Sequence, residues 1–335
     1  MFEEKTILIT GGTGSLGQEL TKRLLENDVK AVRIFSRNES KQIEMENTIK
    51  DERIRFFLGD IRDSDRLVKA MEDVDLVFHA AALKHVPKIE YNPFEAIKTN
   101  VVGSQNVINA CLLNNVEKVL CVGTDKAVSP LNTYGATKLL MEKLFVTANN
   151  YLSKDKYRRK FYAVRYGNVL GSSGSVIPLF VKQLKAKQKI TITDPDMTRF
   201  SLSMNDALDF ILKTVELSRG SEVFIPKARA YSILDVKHAL EDLLGKHGEE
   251  VIGIRPGEKL HETLINEDEM RYCWEHNDVF LLANPLYSLF NDDAIKERYN
   301  GIKKNDDTKS YSSNTAEKIS VEELKQIIQK QFSLD

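Results

Sequence analysis

Residues 10–17 read Thr-Gly-Gly-Thr-Gly-Ser-Leu-Gly. They join a β-branched run, Lys5–Thr10, to a helical stretch, Ser15–Asn27, whose Leu16, Leu20, Leu24 and Leu25 share one face. A strand that enters a helix through glycines at this spacing has few folds open to it. Gly11 permits the tight turn, Gly14 lets a pyrophosphate approach the backbone, and Gly17 allows the helix to close on the strand. The helix N-terminus then faces the phosphates. Thr13, Ser15 and Leu16 belong to the same cradle, and the context predicts a dinucleotide site.

The rest of the first half repeats the alternation. Val32–Ser36, Ile54–Leu58, Leu76–His79 and Val119–Val122 read as buried strands, with helices around Lys41–Ile49, Arg66–Met71 and Pro93–Leu113. This pattern predicts an α/β fold, a doubly wound parallel (Rossmann) sheet with ligands at the C-terminal strand ends. After about Gly167 the regularity falls. Short strands at Ile190–Asp194 and Glu222–Pro226 and helices at Asn205–Leu217 and Ile233–Leu244 predict a smaller α/β substrate-binding lobe. The segment Lys303–Glu317 reads as a polar loop or tether. Ser320–Glu323 then resembles a capping box opening a last helix, Val321–Gln331. The expected division is residues 1–166 for an NADP-binding domain and 167–285 mainly for the substrate lobe, with some segments returning to the main domain. Residues 286–335 are left for a C-terminal tether and helix.

The end of the second strand bears on the choice of cofactor. An acidic residue there would hold a ribose 2′-hydroxyl, whereas this chain has Ser36, Arg37 and Asn38, with Lys41 close behind. The planar fork of Arg37 suits a 2′-phosphate, so NADP is expected over NAD. Asp60 and Ile61 end the third strand, where an acid can meet the adenine amine. Ala80 and Ala81 follow the fourth, where small side chains let the cofactor lie flat. His79 reads as a structural histidine and Asn100 as a structural or water-holding residue.

Tyr134 and Lys138 form a Tyr-x-x-x-Lys pair on one helix face. Such a pair can take a proton from a hydroxyl while a hydride leaves the same carbon. Thr124, Asp125 and Lys126 lie just upstream and add an acid and a base. A Rossmann fold holding both sets can oxidise an alcohol, eliminate water and return the hydride elsewhere. As a base, Lys126 needs a neutral amine, and so a pKa lowered by burial or by Lys138; the ammonium of Lys138 should favour the Tyr134 phenolate. Lys84 and His85 follow the alanine run near the expected nicotinamide. Arg199 and Arg255 are candidates for a diphosphate because guanidinium matches phosphate oxygens. Asn168 and the loop containing Ser172 and Gly174 should touch the diphosphate or the sugar.

Together these residues resemble the extended short-chain dehydrogenase/reductase family. The carriers are TGGTGSLG at 10–17, HAAA at 79–82, YGATK at 134–138 and RYGN at 165–168. HAAALKHVP at 79–87, TDKA at 124–127, MTRF at 197–200 and RPGEKLHE at 255–262 narrow the likeness to the C5-inverting UDP-N-acetylglucosamine 4,6-dehydratases, the branch that opens pseudaminic acid synthesis. The resemblance runs from about residue 5 to about 285. It implies UDP-N-acetylglucosamine as substrate, NADP as cofactor and a homo-oligomer. It also implies that Lys126 is the C5 base and can reprotonate C5 from the opposite face, that protonated Asp125 releases the C6 hydroxyl, that Thr124 bonds the C4 oxygen, and that Glu258 binds ribose hydroxyls. One departure stands out: the wider family usually places an acid pair such as Asp-Glu after the fifth strand, and here Lys126 follows Asp125.

The formal net charge of -1 gives no bulk attraction to nucleic acid or an anionic membrane. The longest apolar runs fall far short of the roughly 20 residues a membrane span needs, so a cytoplasmic protein is expected. Cys111, Cys121 and Cys273 have neither disulfide nor metal-ligand spacing; buried thiols and no metal are expected. The competing readings are a UDP-sugar 4-epimerase or 5-epimerase of the same superfamily, and a non-catalytic NADP-binding protein.

Overall fold

The computed structural model describes residues 1–151, 159–171, 176–284 and 292–332. Six strands build the parallel core: β1 (Thr6–Thr10), β2 (Ala31–Ser36), β3 (Ile54–Leu58), β4 (Leu76–His79), β5 (Lys118–Val122) and β6 (Lys160–Val164). They lie in the order β3-β2-β1-β4-β5-β6, the doubly wound arrangement expected of a Rossmann sheet. The chain reverses direction across the sheet between β1 and β4, which places a crevice above the glycine turn. All five β1 residues are buried. Ile7 and Ile9 join one core and Leu8 the other, so both sheet faces are covered and the strand reads as an unbroken apolar run.

The sheet grows past β6. The short strands β7 (Ile190–Ile192) and β8 (Thr198–Ser201) lie outside it, but β9 (Val223–Pro226) pairs parallel to β6. After β10 (Arg229–Ser232), β11 (Glu249–Val251) and β12 (Thr263–Ile265), the hairpin β13 (Cys273–His276) and β14 (Val279–Leu282) adds antiparallel to β9. The strand β15 (Lys303–Lys304) closes that edge and makes the tenth strand. The sequence reading named neither β6 nor this hairpin. The hairpin signal is present as Asn277-Asp278 just before the apolar run Val279–Leu282, and Asn277 has φ of 56°.

The smaller lobe has its own core. Helices Val176–Lys185, Ile233–Leu244 and Val321–Phe332 enclose Phe180, Ile190, Val236, Leu240, Leu324 and Ile328. The 303–317 stretch, read as a loop or tether, carries β15 and β16 (Tyr311–Ser312), and β16 pairs with β12. Only half of the expected capping box forms. Ser320 accepts from the Glu323 amide at 3.2 Å, but the Glu323 carboxylate turns away to pair with Arg229. Cys111, Cys121 and Cys273 are free and buried. Among the described residues no helix is long and apolar enough to cross a membrane.

Arg165 joins the two halves. It follows β6, is fully buried, and holds Glu142 through Nε at 3.0 Å and Nη2 at 2.6 Å. Its Nη1 and Nη2 each donate to Glu269 at 2.9 Å, and Nη1 donates to the Leu264 carbonyl at 2.8 Å. The guanidinium thereby ties the helix Thr133–Thr147 to the segment around Glu269. Removing one member of such a pair strands buried charge and costs about 3–5 kcal/mol. Arg165→Met should lose that much stability in urea unfolding, whereas a loss under about 1 kcal/mol, the scale of an exposed pair, would show that the clamp is dispensable.

His79, at the end of β4, is structural as expected. Its Nδ1 meets Thr10 Oγ1 at 2.7 Å, its Nε2 meets Ser104 Oγ at 2.9 Å, and the ring stacks on Phe145. Burial, aided by the Lys138 charge, holds its pKa down to about 3 from 6.5. The unfolded chain therefore takes up a proton as pH falls through 6.5 while the folded chain does not. Folded stability then declines by at most about 1.4 kcal/mol per pH unit between pH 6.5 and 3. The stability of His79→Gln should fall less steeply over that range, measured by urea unfolding at several pH values; an unchanged slope would mean that His79 titrates normally.

Candidate active site

The glycine turn has the expected geometry. Gly11 takes φ of +70° and lies so close to Ala81 that a Cβ would meet its Cα at 2.9 Å. A Cβ on Gly17 would stand 2.5 Å from the Gly12 carbonyl oxygen, so the helix can close on the turn only with glycine there. Helix Ser15–Leu25 opens at Gly14 with no side-chain cap and no acid in its first turn, which leaves its N-terminal amides and positive dipole end for an anion. Gly14 and Ser15 are exposed, Thr13 is buried, and Leu16 is partly buried.

At the end of β2, Ser36 is buried and accepts from Gln42 at 3.0 Å, while Arg37 is half exposed and Lys41 is exposed. Arg37 Nη1 stands 3.5 Å from Asp60 Oδ2, and Arg62 grips the same carboxylate at 2.7 Å. Burial works to raise the Asp60 pKa, but the Arg62 bonds outweigh it and hold the group lowered. Ile61 is buried against Gly103. Ala80 and Ala81 are partly buried over the glycine turn, and the Ala81 amide donates to Thr10 Oγ1 at 3.3 Å. Asn100 is buried in a wide helical turn, Ile97–Val102, where it exchanges bonds with both backbone groups of Leu83 and donates to Thr137 Oγ1 at 3.0 Å. It fastens the loop after β4 to the Tyr134 helix. Lys84 and His85 on that loop are exposed and have no described bond to the cluster below.

The sequence after β5 turns once, Asp125–Ala127, and meets the helix Thr133–Thr147. A Cβ on Gly135 would collide with the Lys126 carbonyl oxygen, so glycine beside Tyr134 lets helix and turn touch. Asn132 caps that helix, accepting from Gly135 at 2.8 Å, and donates to the Gly257 carbonyl at 2.8 Å, which docks the Arg255–Glu258 turn on the same helix end. Thr124 donates to Asp125 Oδ1 at 2.7 Å and shares a hydrogen bond with Tyr134. Asp125 is 1% exposed, and its Oδ2 has no hydrogen-bond partner among the described residues.

Lys126 is the hub. Its Nζ donates to Asp125 Oδ1 at 3.1 Å and Asn168 Oδ1 at 3.2 Å, and stands 3.4 Å from Glu262 Oε1. The pair at 125–126 thus faces inward. Burial works to lower the Lys126 pKa, yet Asp125, Glu262 and Tyr134 outweigh it and raise it well above 10.5. The expected neutral amine is therefore corrected: in this structure Lys126 is an ammonium, because two buried carboxyl groups flank it. A second correction concerns Tyr134. Its pKa is raised by burial, and the cation that favours its phenolate is Lys126 rather than Lys138. Lys138 is buried, donates to the Val122 carbonyl at 2.6 Å, and has its pKa lowered by burial.

A cavity of about 150 Å³ beside this cluster is lined by Asn168, Arg199, Tyr231, Arg255 and Glu258 among others. Arg255 is exposed. Arg199 is buried and largely committed to the protein: it donates to the carbonyls of Thr198 and Leu260 at 2.8 and 3.0 Å and contacts Glu258 at 3.4 Å. Ser172 and Gly174 lie outside the described residues. Sequence reasoning missed Glu262. It stands in the quoted RPGEKLHE run, but nothing in the spacing says that its side chain turns under Lys126.

The chain is also similar to known proteins. The chain is 46% identical over 320 residues to a protein of Campylobacter jejuni described as UDP-N-acetylglucosamine 4,6-dehydratase (inverting), covering 93% of each chain. It is 40% identical to a Rickettsia bellii protein described as UDP-glucose 4-epimerase, over 98% of this chain and 96% of that one. The solved structure of Pen from Bacillus thuringiensis superposes with a TM-score of 0.89 at 40% identity, covering 99% of both chains. Residues 7–284 match the polysaccharide biosynthesis protein family, and the chain belongs to that family.

Proposed function

We propose that this chain is an NADP-dependent UDP-N-acetylglucosamine 4,6-dehydratase that inverts C5. The observation that carries the reading is the convergence of Asp125, Lys126 and Tyr134 on one inward-facing cluster beside the cavity of Asn168, Arg255 and Glu258. A 4-epimerase needs one proton acceptor at the C4 hydroxyl. The additional carboxyl and amine give this site the means for elimination as well. The inverting dehydratase of C. jejuni, alike over nearly the whole chain, supports the same reading.

The residues present fit a dinucleotide: an uncapped helix N-terminus follows a turn in which Gly11 and Gly17 leave no room for side chains. Gly11 to Gly17 would hold the diphosphate, and Asp60 and Ile61 the adenine. Ser36, Arg37 and Lys41 would hold the 2′-phosphate, while Ala80, Ala81, Lys84, Tyr134 and Lys138 would border the nicotinamide. Bound there, the cofactor supplies acceptance of a hydride from C4 and its return to C6.

The protein's own groups move the protons. Tyr134 accepts the C4 hydroxyl proton, with Thr124 hydrogen-bonded beside it. Protonating the phenolate removes a negative charge that supports the Lys126 ammonium, so oxidation at C4 lowers the Lys126 pKa and eases release of its proton as the new ketone acidifies C5. Lys126 then takes the C5 proton, Asp125 gives a proton to the leaving C6 hydroxyl, and water departs. Reprotonation of C5 on its other face sets the L configuration. Two protons leave the sugar, from the C4 hydroxyl and from C5, and two are consumed, by the departing water and by C5. Arg255 and Asn168 would bind the diphosphate or sugar and Glu258 the ribose. Arg199, tied to backbone carbonyls, would act chiefly by shaping that wall. Exposed Tyr91, Phe94, Leu131 and Leu140 support self-association.

Purified protein given UDP-N-acetylglucosamine should form a product lighter by one water, roughly 18 daltons, without added NADPH. In D₂O that product should carry deuterium at C5. A product of unchanged mass epimerised at C4, as the Rickettsia relative's description suggests, would contradict the reading. Arg37→Ala should weaken NADP binding by about 1.5–3 kcal/mol, the scale of a charge-assisted hydrogen bond, and leave NAD binding nearly unchanged. Equal losses for both cofactors in titration calorimetry would argue against a 2′-phosphate contact.

A further inference from the structure

Lys126 has three N–H donors, and three acceptors surround them: Asp125 Oδ1, Asn168 Oδ1 and Glu262 Oε1. For its nitrogen to act as a base at C5, one proton must leave the ammonium first. The Asn168 amide cannot take it. Asp125 is assigned to the C6 oxygen and needs a proton of its own. Glu262 remains, and its placement suits the task. It is 3% exposed, its Oε2 is buried with no hydrogen-bond partner among the described residues, and Oε1 lies between Lys126 Nζ and Arg199 Nε at 3.4 and 3.7 Å. Its backbone is fixed on both sides. The amide donates to Ser313 Oγ at 2.9 Å, and the carbonyl accepts from the Ser313 amide at 2.8 Å and from Ser312 Oγ at 3.1 Å.

Resting on the dehydratase reading above, we propose that Glu262 is the proton partner of Lys126. One proton passes from the Lys126 ammonium to the Glu262 carboxylate, leaving a neutral amine and a neutral carboxylic acid. The amine lone pair then takes the C5 proton, and the C–H electron pair passes into the enolate of the 4-ketone. The ammonium so formed gives a proton back to C5 on its other face, and the carboxylic acid then returns its own proton to the emptied Lys126 amine. No external oxidant or reductant enters, and the number of protons held by the pair is restored. Glu262 touches Lys126 rather than the reacting carbons, so it is a positioning residue.

The charged and titratable groups around its carboxyl are Asp125, Lys126, Arg199, Lys259 and Tyr231. Burial and the neighbouring Asp125 raise its pKa, against the pull of Lys126 and Arg199. A buried carboxyl so placed accepts a proton more readily than an exposed one.

The test compares wild type, Glu262→Gln and Glu262→Asp, using the full chain with NADP and UDP-N-acetylglucosamine. In Glu262→Gln, kcat should fall about 100-fold, the lower range for loss of an acid–base group, with KM and Tm close to wild type. Its kcat should climb about tenfold per pH unit above neutrality, because the Lys126 proton must now escape to solvent, whereas wild type stays flat there. Exchange of the C5 hydrogen with D₂O should slow in parallel, and Glu262→Asp should recover part of the rate. A folded Glu262→Gln with wild-type kcat and pH profile would overturn the inference. So would a loss lying only in KM, or a loss of Tm that Glu262→Asp does not relieve. Those results leave the dehydratase reading standing, because wild-type product is measured in the same experiment. A wild type that releases no water would overturn that reading and this inference with it.

Discussion

The charge balance around Lys126 is the constraint on which the site depends. Asp125 and Glu262 are almost wholly removed from solvent, and each leaves one oxygen without a hydrogen bond among the described residues. Buried carboxyl groups of this kind persist only when opposite charge or a proton compensates them. The Lys126 ammonium touches both, and Arg199 adds a second cation near Glu262. This explains why Lys126 is charged at rest, although the base role proposed for it needs a neutral amine. As a base, Lys126 would need a neighbour able to take a proton from it. Under the proposed reaction, a base stored as an ammonium between two acids would be protected from premature proton abstraction, its reactivity released by events at neighbouring atoms.

The scaffold serves this balance by bringing together a turn, the helix that follows it and a stretch distant in sequence. The 125–127 turn comes from the end of β5, Tyr134 and Lys138 from the following helix, and Glu258 and Glu262 from the lobe. Gly135 lets helix and turn touch, Asn132 docks the 255–258 turn on the helix end, and Arg165 fixes the helix from beneath through Glu142. Glu269, on the far side of the same guanidinium, lies only seven residues beyond Glu262. One buried arginine therefore sets the distance between the Rossmann half, which carries the phenol, and the segment that carries the second carboxyl group.

Much of this was legible in the residues. The glycine turn and the strand–helix alternation predict the parallel sheet, because spacing and β-branching report local geometry directly. Lys5–Thr10 and Ile54–Leu58 form strands with bounds within a residue of those expected. The reading lost β6, Lys160–Val164, which lies just before the alternation fades. It lost the β13–β14 hairpin because joining a sheet edge is a tertiary event, although Asn277-Asp278 announces the turn. The protonation state of Lys126 was misjudged for a similar reason. The sequence shows Asp125 beside it, but the second carboxyl group comes from 136 positions away and arrives only through the fold. Arg199 was read as a free fork for phosphate; its donors face the backbone carbonyls of Thr198 and Leu260, contacts that no motif records.

The central claim is spatial: one hexose must present three consecutive carbons to three side chains. A crystal structure of the protein with NADP and UDP-N-acetylglucosamine tests it most directly. The account predicts the C4 hydroxyl at Tyr134, the C5 hydrogen facing Lys126 and the C6 hydroxyl at Asp125, each within a near-attack distance of about 3–3.5 Å. A sugar seated with C5 and C6 turned away from the 125–126 pair, and only C4 in reach of Tyr134, would contradict it and leave a site fit for epimerisation alone.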